Sequence, residues 1–181
     1  LVGSRWYDTR KLAVCYPFGY GLSYTTFDWS EPVVTATGPA SCRIELTVTN
    51  TGTRAGSDVV QLYVSPPESN FTRPRNQLAG VAKVHLAAGE SEQVTINLSP
   101  RSFAIWDPAN QDHIEAQKRL AGSGSGVGLS GGSSDATEAG WYVEPGDYAL
   151  NIAHSIADVA STNMFTISDL LGPLNNQDSL P

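Results

Sequence analysis

Alternation of apolar and polar residues with a period of two runs through several parts of the chain. Between positions 42 and 49, one face of the alternation is apolar and the other is charged or carries hydroxyl groups. The apolar positions are Cys42, Ile44, Leu46 and Val48. Such a pattern predicts a half-buried strand. The turn-forming residues Asn50, Thr51 and Gly52 follow it and predict its end.

A second strand is predicted from Asp58 to Val64, and it is apolar on both faces, which favours a central place in a sheet. Pro66 and Pro67 end it, because proline donates no backbone hydrogen bond to a ladder. Further strand candidates lie at 33–37, 78–86, 93–98, 103–106, 147–153 and 164–167. Only His113–Leu120 offers as much as two helical turns. Short, evenly spaced strands with turns between them predict an all-β protein built as an antiparallel sandwich.

One region is unlike the rest. Gly and Ser occupy 11 of the 13 positions from Gly122 to Ser134, a composition with little to bury that behaves as a flexible coil. We therefore predict a long flexible insertion at 110–139 between two strands.

Charge and length exclude several classes of function. The chain has 181 residues, 11 Lys and Arg against 18 Asp and Glu, and a net charge of −7. It has no basic stripe for nucleic acid or anionic membrane surfaces, and no run of the roughly 18 to 20 apolar residues that a membrane span needs. Because residue 1 is Leu and the sole methionine is Met164, we expect the sequence to be a piece of a longer protein.

Motifs that would carry chemistry are weak. The GxGxxG match at 126–131 lies in the Gly/Ser-rich stretch, without the strand and helix that a dinucleotide site needs. The histidines, His85, His113 and His154, are far apart in sequence and lack metal-binding spacing. No pair of carboxylates is spaced as glycoside hydrolysis would require. We therefore expect no catalytic residue, no metal and no cofactor within this chain.

Two covalent features are open. Cys15 and Cys42 could form a disulfide that closes a 27-residue loop, or Cys42 could be a small core residue of its strand. Asn70 and Asn97 each begin an N-glycosylation sequon, which would be used only in a protein secreted by a eukaryote.

Several longer motifs, in a fixed order, carry a family resemblance. They are Tyr16–Phe27 (YPFGYGLSYTTF), Val48–Gly52, Ala55–Val64 (AGSDVVQLYV), Arg73–Val84 (RPRNQLAGVAKV), Gly89–Ser91 and Trp141–Tyr148 (WYVEPGDY). Together they resemble the C-terminal fibronectin type III-like domain of glycoside hydrolase family 3, the family of many β-glucosidases. Residues 1–8 resemble the end of the α/β sandwich domain that precedes it, and Trp141–Tyr148 resembles the last hairpin.

The resemblance implies a division of the chain. Residues 1–14 would be a remnant of the preceding α/β sandwich domain, 15–29 an aromatic linker, 30–168 the fibronectin type III-like domain and 169–181 a tail. It also implies an extracellular parent enzyme that cleaves β-linked glucosides with an aspartate nucleophile and a glutamate acid/base, both upstream of this chain. Tyr20 and Ser23 resemble the β-glucosidase version of the entry motif.

The linker is unusually aromatic, with six aromatic residues in 14 positions: Tyr16, Phe18, Tyr20, Tyr24, Phe27 and Trp29. Because aromatic side chains favour packed interfaces, we predict that they lie against the missing N-terminal catalytic domains. The main hypothesis is therefore a non-catalytic structural domain. The alternatives are a module that binds polysaccharide, with Trp6, Trp106, Trp141 and Tyr142 as stacking candidates, and an enzyme in its own right.

Overall fold

The computed structural model describes residues 1–69, 71–107 and 139–174. Within these ranges ten strands are accompanied by one short α-helix and a 3-10 turn at Pro100–Ser102. The elements are α1 Ser4–Thr9, β1 Phe27–Trp29, β2 Val33–Gly38, β3 Ser41–Asn50, β4 Gly56–Ser65, β5 Gln77–Leu86, β6 Ser91–Leu98, β7 Ile105–Asp107, β8 Gly140–Tyr142, β9 Gly146–Ser155 and β10 Asp158–Ile167.

The strands form two four-stranded antiparallel sheets. In sheet A, β3 is flanked by β6 on one side, while the short strands β1 and β2 share its other side. Sheet B has the order β10-β9-β4-β5. A small two-stranded sheet joins β7 to β8. The predicted all-β antiparallel sandwich is confirmed.

The core lies between the two sheets, and the alternation in the sequence shows why. On β3 the apolar side chains are buried from Cys42 to Val48, whereas Arg43 on the other face is exposed. Strand β4 lies between β9 and β5, as its two apolar faces predict. Its residues Val60, Leu62 and Val64 face the core.

Asn50, the last residue of β3, is polar yet fully buried, because its side-chain amide is hydrogen-bonded at both ends. Its side-chain oxygen accepts hydrogen bonds from the Thr25 hydroxyl (2.7 Å) and the Gly52 backbone N–H (3.0 Å). Its side-chain nitrogen donates to the carbonyl groups of Arg54 (2.8 Å) and Leu86 (3.0 Å). A single amide thus links the segment before β1, the turn after β3 and the end of β5, as a buried amide needs partners.

Some expectations need correction. Trp141–Tyr148 is not a hairpin, because β8 pairs with β7 while β9 pairs with β4 and β10. Strand β1 falls within the range predicted as linker, and α1 lies in a region for which no helix was predicted. Leu171, beyond the predicted domain, pairs with Val143 and packs on the core.

The remaining predictions for 110–138, including the helical turns at His113–Leu120 and most of the insertion, lie outside the described residues. In the described part of the chain no helix has the length and hydropathy to cross a membrane.

Candidate interdomain surface

Exposed apolar side chains concentrate at one end of the chain. In the described residues, 11 of the 17 exposed large hydrophobic side chains belong to residues 1–24, hereafter the N-terminal segment. They are Leu1, Val2, Trp6, Tyr7, Leu12, Val14, Tyr16, Phe18, Tyr20, Leu22 and Tyr24. Isolated exposed hydrophobic residues are ordinary, whereas a contiguous set of them marks an interaction surface.

Helix α1 within this segment is turned the opposite way from an ordinary surface helix. Its polar residues Ser4, Asp8 and Thr9 are half-buried, while Trp6 and Tyr7 are exposed. Ser4 and Asp8 are four residues apart and so share one helix face. That polar face lies toward the sandwich, and in the described part of the chain Trp6 and Tyr7 are left exposed on the helix.

Asp8 connects α1 to the sandwich. Its Oδ2 atom accepts a hydrogen bond from the side-chain nitrogen of Asn76 at 3.1 Å. Next to it, the backbone N–H of Arg75 donates to the Thr9 hydroxyl at 3.0 Å. The Arg75 guanidinium lies 3.9 Å from Asp8 Oδ1 but is 57% exposed, so the ion pair contributes little.

Behind Asp8, a chain of hydrogen bonds crosses the outer face of sheet B. The Oδ1 atom of Asn76 accepts from the Ser65 hydroxyl (2.7 Å) and from the Asn151 amide (3.0 Å). Asn151 also donates to Ser65 (2.8 Å) and accepts from the Thr162 hydroxyl (2.8 Å). Strand register explains the network, because Thr162 and Asn151 are opposite partners on β10 and β9. We call these five residues, Asp8, Ser65, Asn76, Asn151 and Thr162, the polar joint.

A second attachment holds the other end of the segment. Buried Gln61 on β4 donates from its amide nitrogen to the carbonyl groups of Gly19 (3.0 Å) and His154 (2.6 Å). Its amide oxygen accepts from the Tyr63 hydroxyl at 2.6 Å. The Ile156 N–H donates to the Phe18 carbonyl at 3.0 Å. Residues 18 and 19 are thus bound to sheet B through their backbones.

Burial under this segment also changes the chemistry of Tyr63. Desolvation, and secondarily the negative charge of Asp8, raise the pKa of the Tyr63 phenol to about 12. The phenol is therefore a neutral hydrogen-bond donor at physiological pH, as its bond to Gln61 requires.

The six aromatic residues predicted as an interface divide into two groups. Tyr16, Phe18, Tyr20 and Tyr24 are exposed, with Tyr24 at 95%. Phe27 and Trp29 instead lie on β1 and pack against the core. The Trp29 indole N–H donates to Asp58 at 2.8 Å, and its ring lies 3.8 Å from the His154 ring.

Between the N-terminal segment and the β9–β10 turn lies a mostly apolar groove of about 610 Å³. Its walls include Tyr7, Leu12, Tyr16, Phe18 and Ile156. The groove adds concave apolar surface to the exposed side chains.

The loop between β4 and β5 carries Arg73, which forms a buried ion pair with Glu144 at 3.2 Å. The Ser69 hydroxyl donates to both Glu144 oxygens at 2.8 Å, and Arg73 also donates to the Phe103 carbonyl at 2.8 Å. Arg73, in the RPRNQ motif, thus ties the loop between β4 and β5 to Glu144 and to the backbone at Phe103.

The predicted modification sites have different surroundings. Asn97 is exposed on β6, whereas Asn70 lies outside the described residues. Cys15 is exposed, Cys42 is buried, and both are free thiols, so the structure does not contain the disulfide. Burial raises the pKa of the Cys42 thiol to about 11, which makes it unreactive.

The four candidate sugar-stacking residues do not form a flat row. Tyr142 is buried, and Trp141 packs on the core beneath the Arg101 guanidinium, which lies 3.1 Å from the ring centroid. Trp106 and Trp6 are exposed. The Trp106 ring meets Trp141 at 63°, edge to face.

The sequence motifs do not point to a functional role for Asp8, Gln61, Asn76 or Asn151. A polar amide inside an apolar strand, as at Gln61 and Asn151, was the available signal, because a buried amide needs partners. No group of three or more His, Cys, Asp or Glu residues arranged as metal ligands occurs in ranges 1–69, 71–107 and 139–174.

Comparison with known proteins identifies the fold and then the family. The protein-family model described as "Fibronectin type III-like domain" matches residues 58–119 of this chain. The chain is 37% identical over 161 residues to the exo-alpha-(1->6)-L-arabinopyranosidase of Bifidobacterium breve, covering 89% of this chain and 18% of that protein. It is 32% identical over 168 residues to the beta-glucosidase BoGH3A of Bacteroides ovatus, covering 91% and 19%.

Comparison with solved structures gives the same result as comparison with sequences. The GH3 beta-glucosidase of Bifidobacterium adolescentis superposes with a TM-score of 0.74 at 34% identity, over 97% of this chain and 22% of that one. Beta-glucosidase 3B of Thermotoga neapolitana superposes with a TM-score of 0.73 at 28% identity, over 94% of this chain and 20% of that one.

The fold and its motifs define a fibronectin type III-like domain. More particularly, it is the fibronectin type III-like domain found in glycoside hydrolase family 3 beta-glucosidases and related enzymes, of which it matches only a small part. The chain spans about a fifth of the length of the relatives it matches.

Proposed function

We propose that this domain is the structural support of a family 3 enzyme that cleaves β-linked glucosides, and that its N-terminal segment lies against the catalytic domains of that enzyme. The observation that carries the proposal is the concentration of exposed apolar side chains in residues 1–24. A sandwich with a complete core has no need of them for its own folding.

The opposite surroundings of the polar and apolar sides of α1 support the same proposal. Its polar side is bound by the sandwich, and its apolar side is exposed together with the groove of about 610 Å³. An enzyme domain that precedes this segment in the chain would cover that surface. Burial of large aromatic side chains is a strong stabilising term at such interfaces.

The chain alone is predicted to be inactive. The test is an assay of the purified chain with p-nitrophenyl β-D-glucopyranoside, for which we expect no release of nitrophenol above a heat-denatured control. Turnover that persists after repurification would overturn the assignment as a non-catalytic support.

The parent enzyme can be tested at the level of the gene. We expect the coding sequence upstream of Leu1 to encode a barrel domain followed by an α/β sandwich domain. An unrelated upstream sequence would contradict the proposal.

The relatives include both beta-glucosidases and an arabinopyranosidase, so the sugar of the parent is assayed against both classes of substrate. Hydrolysis of the β-glucoside in preference to the α-L-arabinopyranoside is the expected result.

A second candidate function, polysaccharide binding, rests on one observation. Trp106 is exposed beside Trp141, and sugar rings stack on such faces. The test is co-sedimentation with cellulose or xylan, comparing the native chain with Trp106→Ala. Retention that is lost in the variant would support binding, and no retention of the native chain would refute it.

We further propose that the parent enzyme is extracellular and glycosylated at Asn97, which is exposed on β6. Digestion of the protein from its native source with an N-glycosidase should lower its mass, and Asn97→Gln should remove that shift at this position. Protein confined to cells, with an unmodified Asn97, would contradict the proposal.

A further inference from the structure

We infer that Asp8 is the positioning residue of this domain: its hydrogen bond to Asn76 docks α1 onto the outer face of sheet B and turns the apolar face of the helix outward. The role in orienting the catalytic domains rests on the function proposed above. The docking itself is a property of this chain.

Besides the contacts of Asp8, the hydrogen bonds of the described residues give α1 one further attachment to the sandwich, from the Arg75 backbone N–H to the Thr9 hydroxyl at 3.0 Å. None of its side chains is buried, its first residue has no side-chain cap, and it has only six residues. Helices of fewer than about 12 residues are marginal on their own in water. Persistent structure in α1 therefore depends on contacts with sheet B.

Asp8 supplies the strongest of those contacts. Its carboxylate is only 11% exposed although it belongs to a surface helix. The bond from Asn76 is charge-assisted, and such bonds are stronger than neutral ones. By contrast, the exposed Arg75 guanidinium lies at 3.9 Å, too far to fix a geometry.

The polar joint gives this contact a rigid base. Asn76 is buried and accepts from Ser65 and Asn151, so its amide has one orientation in which the nitrogen points at Asp8. Thr162 completes the network from β10. Three strands of sheet B thereby determine where α1 lies.

Hydrogen exchange of the whole chain, read by NMR or mass spectrometry, tests the inference. The backbone amides of Trp6, Tyr7, Arg10 and Leu12, which are bonded within the helical turns, should be protected in the native chain. Asp8→Ala should make them exchange about tenfold faster or more, as loss of a charged hydrogen bond implies, while amides of β3 and β4 keep their rates.

Two matched variants separate this role from others. Arg5→Ala, at an exposed position of the same helix, and Arg75→Ala should each leave α1 protection within about threefold of the native value. Three results would overturn the inference. The α1 amides could be unprotected in the native chain, or their exchange rates in Asp8→Ala could equal the native rates. The third is that Arg75→Ala speeds their exchange as much as Asp8→Ala does. These results do not depend on whether the parent is a glycosidase, so the two proposals can fail separately.

Discussion

The sandwich and the N-terminal segment use the same kinds of residue in opposite ways. In the sandwich, apolar side chains such as Ile44 and Leu62 are buried between the sheets and Arg43 is exposed. In the segment, polar Asp8 faces the protein while Tyr16 and Tyr24 are exposed. The first arrangement is that of a domain that folds by itself. The second is that expected of the surface that we propose is covered by the catalytic domains.

Mutations of apolar residues should separate the two regions most strongly. Ile44→Ala removes a fully buried side chain of β3 and should lower the free energy of unfolding by about 2 to 5 kcal/mol. Leu22→Ala, at an exposed position of the segment, should change it by less than about 0.5 kcal/mol. Urea denaturation measures both. Equal losses would contradict the comparison.

The two ion pairs of the sandwich test how burial changes the contribution of an ion pair to stability. Arg73→Met leaves Glu144 without its buried cation and should cost about 3 kcal/mol. Arg43→Met breaks an exposed pair with Glu45 and should cost about 0.5 kcal/mol or less. The same denaturation experiment compares them. A large loss for Arg43→Met, or none for Arg73→Met, would show that burial does not set the strength of these pairs.

The exposed aromatic residues should bind a hydrophobic dye. We expect the native chain to enhance anilinonaphthalene sulfonate fluorescence, and the variant Tyr16→Ser/Tyr20→Ser/Tyr24→Ser to lose most of that signal, because the dye needs contiguous apolar surface. The thermal midpoint should be nearly unchanged, since these side chains lie outside the core. A dye signal equal in both proteins would place the binding surface elsewhere.

The two cysteines give the smallest effect on stability and a clear chemical contrast. With Ellman's reagent, exposed Cys15 should react at once and Cys42 only after unfolding. Because burial raises the pKa of Cys42 from 9.0 to about 11, its thiol favours folding fully below pH 9. That contribution is lost as the pH rises toward 11, since the unfolded chain gives up the proton first. Absence of any reactive thiol in the unfolded, unreduced chain would reveal a disulfide instead.

The sandwich could be predicted from the sequence because its signal is local. The alternation around Ile44 and the double-faced strand around Leu62 follow from the two-residue period of a strand, and the structure confirms both. The turn residues that follow β3 and the prolines that follow β4 predicted the ends of these two strands to within one residue. Pairing partners are not local, and this is why Trp141–Tyr148 was wrongly interpreted as a hairpin.

The candidate surface was predictable only in part. Aromatic density pointed to the exposed residues Tyr16 and Tyr24. Trp29, which the sequence groups with them, is half-buried on β1, because β1 pairs with β3 and the sequence does not show that pairing. Asp8 and Asn76 are 68 residues apart, and their hydrogen bond exists only because sheet B brings them together. Neither residue has a distinctive neighbourhood in the sequence.

Sedimentation velocity over a range of protein concentrations tests the central claim, that the N-terminal segment is an uncovered interdomain surface. The native chain should associate as its concentration rises, and Tyr16→Ser/Tyr20→Ser/Tyr24→Ser should remain monomeric. A native chain that stays monomeric at every concentration would contradict the account.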